Sequence, residues 1–262
     1  MSPISGTKKL KVYMKIFDSC VYPENYREDG LTDLSNKLRL NVTKAILQLD
    51  SRKNINFKLI KKFCSTKKNL IAAYSYNPNI SLKKNIEILD KYDFKIIKIH
   101  PRYMNLHLKE NESFYRELFG FAQKKKLLIQ WCSLDSWNNG QLPEISQIFF
   151  LNKILNNYRR TKLIIMHGGG SEILKYYENF RFFENVFLDL SYTLCHFENS
   201  SLISDLQFLS EKFDRRVVVG SDYPCFKFST FKKNLNRITK NVSERKKKNI
   251  LYMNLDYLTN DK

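Results

Sequence analysis

The sequence predicts a (β/α)8 barrel, and three observations carry that expectation. Eight short apolar runs recur along the chain, and stretches with apolar residues at helical spacing separate them. The whole pattern fits within 262 residues, the length at which eight strand–helix units close on themselves. A doubly wound open sheet shows the same alternation, since periodicity does not distinguish a closed edge from an open one.

The elements follow in order. Residues 12–17 are an apolar, β-compatible run that ends in Asp18-Ser19-Cys20. Leu31, Leu34 and Leu38 give a helical stripe over 31–40, with Thr32 or Asp33 as its cap. Residues 42–49 form the second strand, and Phe57, Leu59, Ile60 and Phe63 the next stripe. The third strand, 70–76, is closed by Asn77-Pro78, and Ser81 caps a helix carrying Leu82, Ile86 and Leu89. The fourth strand, 94–99, stops at His100-Pro101, where the proline removes a backbone donor.

Residues 113–123 are amphipathic, 127–131 form the fifth strand and 145–157 a further helix. The sixth strand, 163–166, ends in His167-Gly168-Gly169-Gly170, and helix 171–180 follows. The seventh strand is 186–190, the next helix 202–213, and the eighth strand 217–219 ends in Gly220-Ser221-Asp222-Tyr223-Pro224. Helices around 228–238 and 243–251 finish the pattern. No Pro/Ser/Gly-rich linker, low-complexity segment or repeat longer than one βα unit interrupts it. The expected organisation is a tail over 1–9 and one barrel domain over 10–262.

Composition narrows the class. With 43% hydrophobic residues the chain can bury a large core, which excludes global disorder. No run approaches the roughly 18 apolar residues of a spanning helix, and the first residues lack the apolar core of a signal peptide. Five scattered cysteines are too few for a disulfide framework and fit reduced thiols, so a cytoplasmic location is expected. Forty-five Lys plus Arg against 26 Asp plus Glu give a net charge of +19, which invites a nucleic-acid reading. The excess is spread in short lysine runs alongside abundant Asn, Ile and Tyr, as a general compositional bias produces. A solvated lysine-rich surface is therefore expected, with small anionic molecules as partners and no membrane. A homo-oligomer is compatible with the same sequence.

In a barrel of this kind the chemistry collects where the strands end, because the loops there surround one mouth. The strand ends supply Asp18, Cys20 and Tyr22; Tyr74 and Tyr76; Lys98, His100 and Arg102; Gln130 and Cys132; His167; Asp189 and Ser191; and Asp222. Period-two alternation sets Asp18 with Cys20, Lys98 with His100 and Arg102, and Gln130 with Cys132 on common faces. Four of the eight glycines stand at Gly168–Gly170 and Gly220, where turns need unusual φ or close backbone approach.

The segments TKLIIMHGGG, NVFLDLSYT and RRVVVGSDYP, in that order, resemble the late half of the amidohydrolase superfamily. FKIIKIHPRY is similar to the fourth strand of its "amidohydrolase 2" branch, which includes aminocarboxymuconate-semialdehyde decarboxylase, and NILYMNLDYL to its closing helix with Asn254. The resemblance spans roughly residues 12–258. It implies a divalent metal, usually zinc, at the barrel mouth, and a bound water whose pKa falls toward about 7. His167 matches the sixth-strand histidine, Asp222 the eighth-strand aspartate, and Asp18 the aspartate that opens the first-strand motif. Cys20 and Tyr22 stand where that motif has its two histidines, and Gln130 or Trp131 where the fifth strand has its own.

The residues leave three functions open. In one, a rebuilt metal site of Cys20, His167 and Asp222, with Cys132 as a further ligand, activates water to cleave a C–N or C–O bond. In the second, no metal is used: Asp222 is the base of a lactonase- or decarboxylase-type enzyme, and Lys98, His100, Arg102, Gln130 and Tyr22 hold an anionic substrate. The third is a pseudo-enzyme, a barrel that binds or scaffolds. Cys20 is also a candidate nucleophile with His167 as its base. Trp131, Trp137, Tyr74, Tyr76 and Tyr192 are candidates for the pocket wall, and His107 and His196 carry no assigned role.

Overall fold

The structure, a computed structural model, describes residues 14–104, 108–134 and 145–260. The expected tail, the start of the first apolar run, His107 and Trp137 lie outside the described residues. Eight parallel strands follow one another around a single sheet: β1 (Phe17–Val21), β2 (Lys44–Leu49), β3 (Leu70–Ser75), β4 (Ile96–Ile99), β5 (Leu128–Cys132), β6 (Lys162–Met166), β7 (Val186–Asp189) and β8 (Val217–Val218). The sheet closes between β8 and β1. Ser19 N–H donates to the Val219 carbonyl at 2.9 Å and Tyr22 N–H to the Tyr223 carbonyl at 2.8 Å. Closure decides between the two architectures the sequence allows, and the barrel is the one found. No helix among the described residues is long and apolar enough to cross a membrane.

The apolar strand residues divide by parity, as expected for a sheet buried on both faces. Ile96, Leu128, Ile164 and Met166 pack in an interior cluster with Phe17, Phe187 and Val218. Ile97, Ile129, Trp131, Leu163 and Ile165 pack outward under the helices. Leu255 and Leu258, from the helix Asn254–Thr259, join the interior cluster and close one end of the barrel. Asn254 fixes that helix by donating to the carbonyls of Asp214 and Val217, both at 2.7 Å.

Several boundaries move for local reasons. The helix expected from residue 31 spans Glu28–Asn41, with Arg27 at its N-cap and no side-chain cap, so neither Thr32 nor Asp33 caps it. The leucine stripe begins a turn inside the helix, and Glu28 and Asp29 in the first turn suit the positive end of its dipole. Ser81 does cap Leu82–Tyr92, accepting from Lys84 N–H at 3.2 Å. β1 runs through the polar sequence FDSCV rather than stopping before Asp18. A strand can carry such residues when their polar groups are paired inside the fold. Lysines on the helices pair with neighbouring acids, as in Lys84–Glu87, Lys175–Glu172 and Lys247–Glu244.

Candidate active site

The seam between β1 and β8 builds the first wall of the site. β1 shifts register against β2 between Asp18 and Val21. Asp18 Oδ1 accepts from its own Cys20 N–H at 3.0 Å and from Ser221 N–H at 2.9 Å, so it clamps the two strands together. Burial raises its carboxyl pKa to about 7, against the lowering effect of those hydrogen bonds. Asp222 N–H returns to the Cys20 carbonyl at 3.0 Å. Across the same seam, the Cys20 thiol donates to Asp222 Oδ1 at 3.2 Å. Burial pushes the Cys20 pKa up, ahead of the opposing pull of Lys98, which keeps this sulfur a thiol.

Lys98 supplies the opposite charge. Its register places it beside Ser75 and Gln130, pointing into the barrel, where it is 1% exposed. The ammonium donates to Tyr22 Oη at 2.7 Å and lies 3.8 Å from Cys20 Sγ. A buried ammonium beside a phenol and a thiol retains attraction for an anion that enters from the cavity.

The end of β6 is held in an unusual backbone. His167 has φ 64°, and Gly168, Gly169 and Gly170 continue with φ 55°, 84° and 61°. Glycine is required at 169, since a Cβ there would stand 2.1 Å from Tyr176 Cδ2. His167 N–H donates to Asp189 Oδ2 at 3.2 Å, and Asp189 also accepts from the hydroxyls of Ser19 and Ser191. His167 Nδ1 lies 3.0 Å from the Ser191 carbonyl. A carbonyl only accepts, so Nδ1 carries the proton. Thr193 N–H reaches back to the Ser191 carbonyl at 2.7 Å, closing a γ-turn on Tyr192 at φ 61°, ψ −63°. Strained backbone at His167, Tyr192 and Asp222 (φ 54°) surrounds one mouth.

Cys132, at the end of β5, pairs with both His100 and His167. Burial alone would raise its pKa, but the two imidazoles overcome it and hold the thiol well below its usual range. The effect on His167 is reciprocal: burial opposes its charge, yet the Cys132 sulfur keeps its pKa raised. Burial is the main cause of the lowered pKa of His100.

These walls enclose a cavity of about 1070 Å³, whose lining includes Tyr22, Lys98, His100, Arg102, His167 and Asp222. Six residues expected from the sequence therefore share one space, and Tyr76 and Tyr192 join its wall. Arg27, Arg52 and Lys53 extend the positive lining toward the β1 and β2 loops, with Arg52 paired to Asp50. Gln130 does not line it. Its amide accepts from Gln48 Nε2 at 2.9 Å and donates to the Ser19 carbonyl at 3.0 Å, inside the barrel. Trp131 and Tyr74 belong to the outer core, where Trp131 Nε1 donates to Gln147 and Tyr74 Oη to Asn85. Sequence reasoning missed Gln48 because a glutamine inside an apolar strand gives no periodic signal. It named Asp189 and Ser191 at a strand end without their role behind His167.

The ligand set expected for zinc is not assembled. Among the described residues no group of three His, Cys, Asp or Glu side chains is placed to hold a metal ion. The reason is local: the Cys20 thiol is turned to Asp222 with an ammonium 3.8 Å away, while His167 is occupied by Ser191 and Cys132. The residues present therefore do not fit the group.

No family model matches this sequence, and no curated protein does so either. Solved structures do match in fold. The chain is similar to an uncharacterised TIM-barrel protein of Bordetella bronchiseptica, at a TM-score of 0.72 and 13% identity over 93% of this chain and 98% of that one. A protein of Acinetobacter baumannii, assigned as a 2-pyrone-4,6-dicarboxylic acid hydrolase and holding citric acid, superposes at 0.64 and 14% identity, covering 94% and 99%. An amidohydrolase of Burkholderia multivorans with bound zinc superposes at 0.66 and 10% identity, covering 93% and 98%. The fold is thus a TIM barrel, the architecture this chain shares with these solved structures.

Proposed function

We propose that this chain is a hydrolase that cleaves a C–O or C–N bond of a small anionic metabolite, with Asp222 as the base that activates water. The observation that carries the reading is the meeting of opposite charges at one cavity wall. The Asp222 carboxylate and the Lys98 ammonium sit on either side of Cys20, at 3.2 Å and 3.8 Å from its sulfur, and both line the cavity. A carboxylate can take a proton from water, while an adjacent fixed cation attracts the substrate's anionic group or the developing oxyanion. His100 and Arg102 add donors on the same strand end. The hydrolases among the structural neighbours support the class at the level of fold.

The chemistry asked of each residue follows from this arrangement. Arg102 and Lys98 bind the substrate's negative groups, and the Tyr22 hydroxyl, already paired to Lys98, fixes the ammonium in place. Asp222 receives the proton of the attacking water. His167, held by Ser191 and Asp189, is oriented to return a proton to the leaving group. The test is a hydrolysis screen of carboxylated lactones and amides with the wild type and Asp222→Asn. Asparagine tolerates the left-handed backbone at this position, so the variant is expected to fold and to lose turnover by about 100-fold or more. An unchanged rate overturns the assignment. Absence of both turnover and ligand-induced thermal shift across the screen favours the scaffold reading instead.

A further inference from the structure

Among the described residues Lys98 is the one lysine with a buried side chain, and it stands in the lining of the cavity. Its ammonium donates to Tyr22 Oη at 2.7 Å and to Cys20 Sγ at 3.8 Å, and the Cys20 thiol donates on to Asp222 Oδ1 at 3.2 Å. Tyr22 and Asp222 line the cavity together with Lys98, whereas Cys20 is fully buried and does not. The sulfur thus lies behind a lysine and a carboxylate that share one space.

An ammonium taken out of water, with a phenol and a thiol as its hydrogen-bond partners, is costly to keep charged. The donor chain gives its proton a way out. The thiol passes its hydrogen to Asp222 and takes one from Nζ in exchange, so the carboxylate gains a proton and the lysine loses one. What remains at the cavity wall is an amine, the form of lysine that attacks a carbonyl carbon.

We propose that Lys98 forms a Schiff base with a small oxo acid, and that Cys20 and Asp222 carry the proton that frees the amine. This is a second chemistry for the cavity and does not rest on the hydrolase reading. Arg102, in the same lining, supplies positive charge for the carboxylate of the oxo acid. The amine attacks the carbonyl carbon, an N–C bond forms, and the carbonyl electron pair moves to oxygen. The surplus proton on nitrogen passes to that oxygen through the Tyr22 hydroxyl beside Nζ. Asp222 then returns its proton to the new hydroxyl, the C–O bond breaks, water leaves and the nitrogen lone pair closes the C=N bond. One ammonium and one carbonyl have become one protonated imine and one water, and Asp222 is a carboxylate again.

The experiment incubates the full chain at neutral pH with pyruvate and sodium cyanoborohydride, which reduces an imine where it forms. Peptide mass spectrometry then follows each lysine in time. Lys53, exposed at the outer wall of the same cavity, is the internal reference. Exposure alone ranks Lys53 well ahead of Lys98, which is 1% exposed. The proposal expects a carboxyethyl group on Lys98 before Lys53. In Asp222→Asn the labelling of Lys98 should slow by about tenfold or more while that of Lys53 is unchanged. Acetaldehyde, which lacks the carboxylate, should favour Lys98 over Lys53 less than pyruvate does.

An unlabelled Lys98 beside a labelled Lys53 overturns the proposal, and so does a Lys98 rate unmoved by Asp222→Asn. A preference for Lys98 as strong with acetaldehyde as with pyruvate overturns the oxo-acid class. The two chemistries fail separately. Hydrolysis of lactones or amides without trapping at Lys98 sinks the Schiff base and leaves the hydrolase. Trapping at Lys98 with no hydrolysis across the screen sinks the hydrolase and leaves the Schiff base.

Discussion

Gln48 and Gln130 join side chain to side chain across the barrel interior, with Gln48 Nε2 donating to Gln130 Oε1 at 2.9 Å. Both amides also donate to the Ser19 carbonyl at 3.0 Å, so three strands share one fully buried polar knot. Gln130→Ala is expected to leave Gln48 and Ser19 short of partners and to lower stability by about 1–3 kcal/mol. Denaturant titration checks this. A loss of substrate affinity with unchanged stability would instead put Gln130 in the cavity.

Lys98→Met should move binding and stability in opposite directions. Methionine fills a similar space and removes a buried ammonium whose hydrogen-bond partners are a phenol and a thiol. Stability is expected to hold or rise, while KM for an anionic substrate rises by about tenfold, near 1.4 kcal/mol. Thermal melts alongside steady-state kinetics test it, and a fall in Tm with an unchanged KM contradicts it.

Asp18 gives the fold a pH dependence whose sign can be worked out. Its carboxyl titrates near 3.8 when unfolded and about 7 when folded, because burial opposes ionisation. Between those values the folded state holds the proton more tightly, so stability falls as pH rises through the window. Asp18→Asn mimics the protonated form and keeps an oxygen for the Cys20 and Ser221 N–H groups. The variant is expected to match wild type near pH 4 and to melt higher at pH 8. Equal Tm differences at both pH values would remove Asp18 as the source.

Gly169→Ala is expected to cost about 3 kcal/mol or more, through the φ of 84° and the clash with the Tyr176 ring. It should lower activity as well, because the same turn seats His167. Calorimetry and kinetics on the variant test this together. A neutral outcome would show that the turn relaxes without moving the histidine.

Protein purified without chelator should carry well under one equivalent of zinc, iron or manganese, and the amount should not depend on Cys20. This follows from the Cys20 thiol pairing with Asp222 beside the Lys98 ammonium, and from His167 being held by Ser191. Plasma mass spectrometry on wild type and Cys20→Ala decides it. Near-stoichiometric metal that falls in the variant would restore the rebuilt metal centre and redirect the mechanism.

The sequence by itself determined the order of strands and helices and the residues at the strand ends, because both are local. Apolar period and the turn residues His100-Pro101, His167–Gly170 and Gly220–Pro224 are legible without any knowledge of distance. It also brought out Tyr22, Lys98, His100, Arg102, His167 and Asp222, which share one cavity once the strands lie parallel. Tertiary structure alone decided closure, since the bonds of Ser19 to Val219 and Tyr22 to Tyr223 join residues about 200 positions apart. It alone decided the pairing of groups within the mouth. Cys20 meets Asp222, Cys132 meets the histidines and Gln130 turns to Gln48. Those choices depend on strand register and on the tilt set by barrel closure, and neither quantity is written in the spacing of residues along one strand.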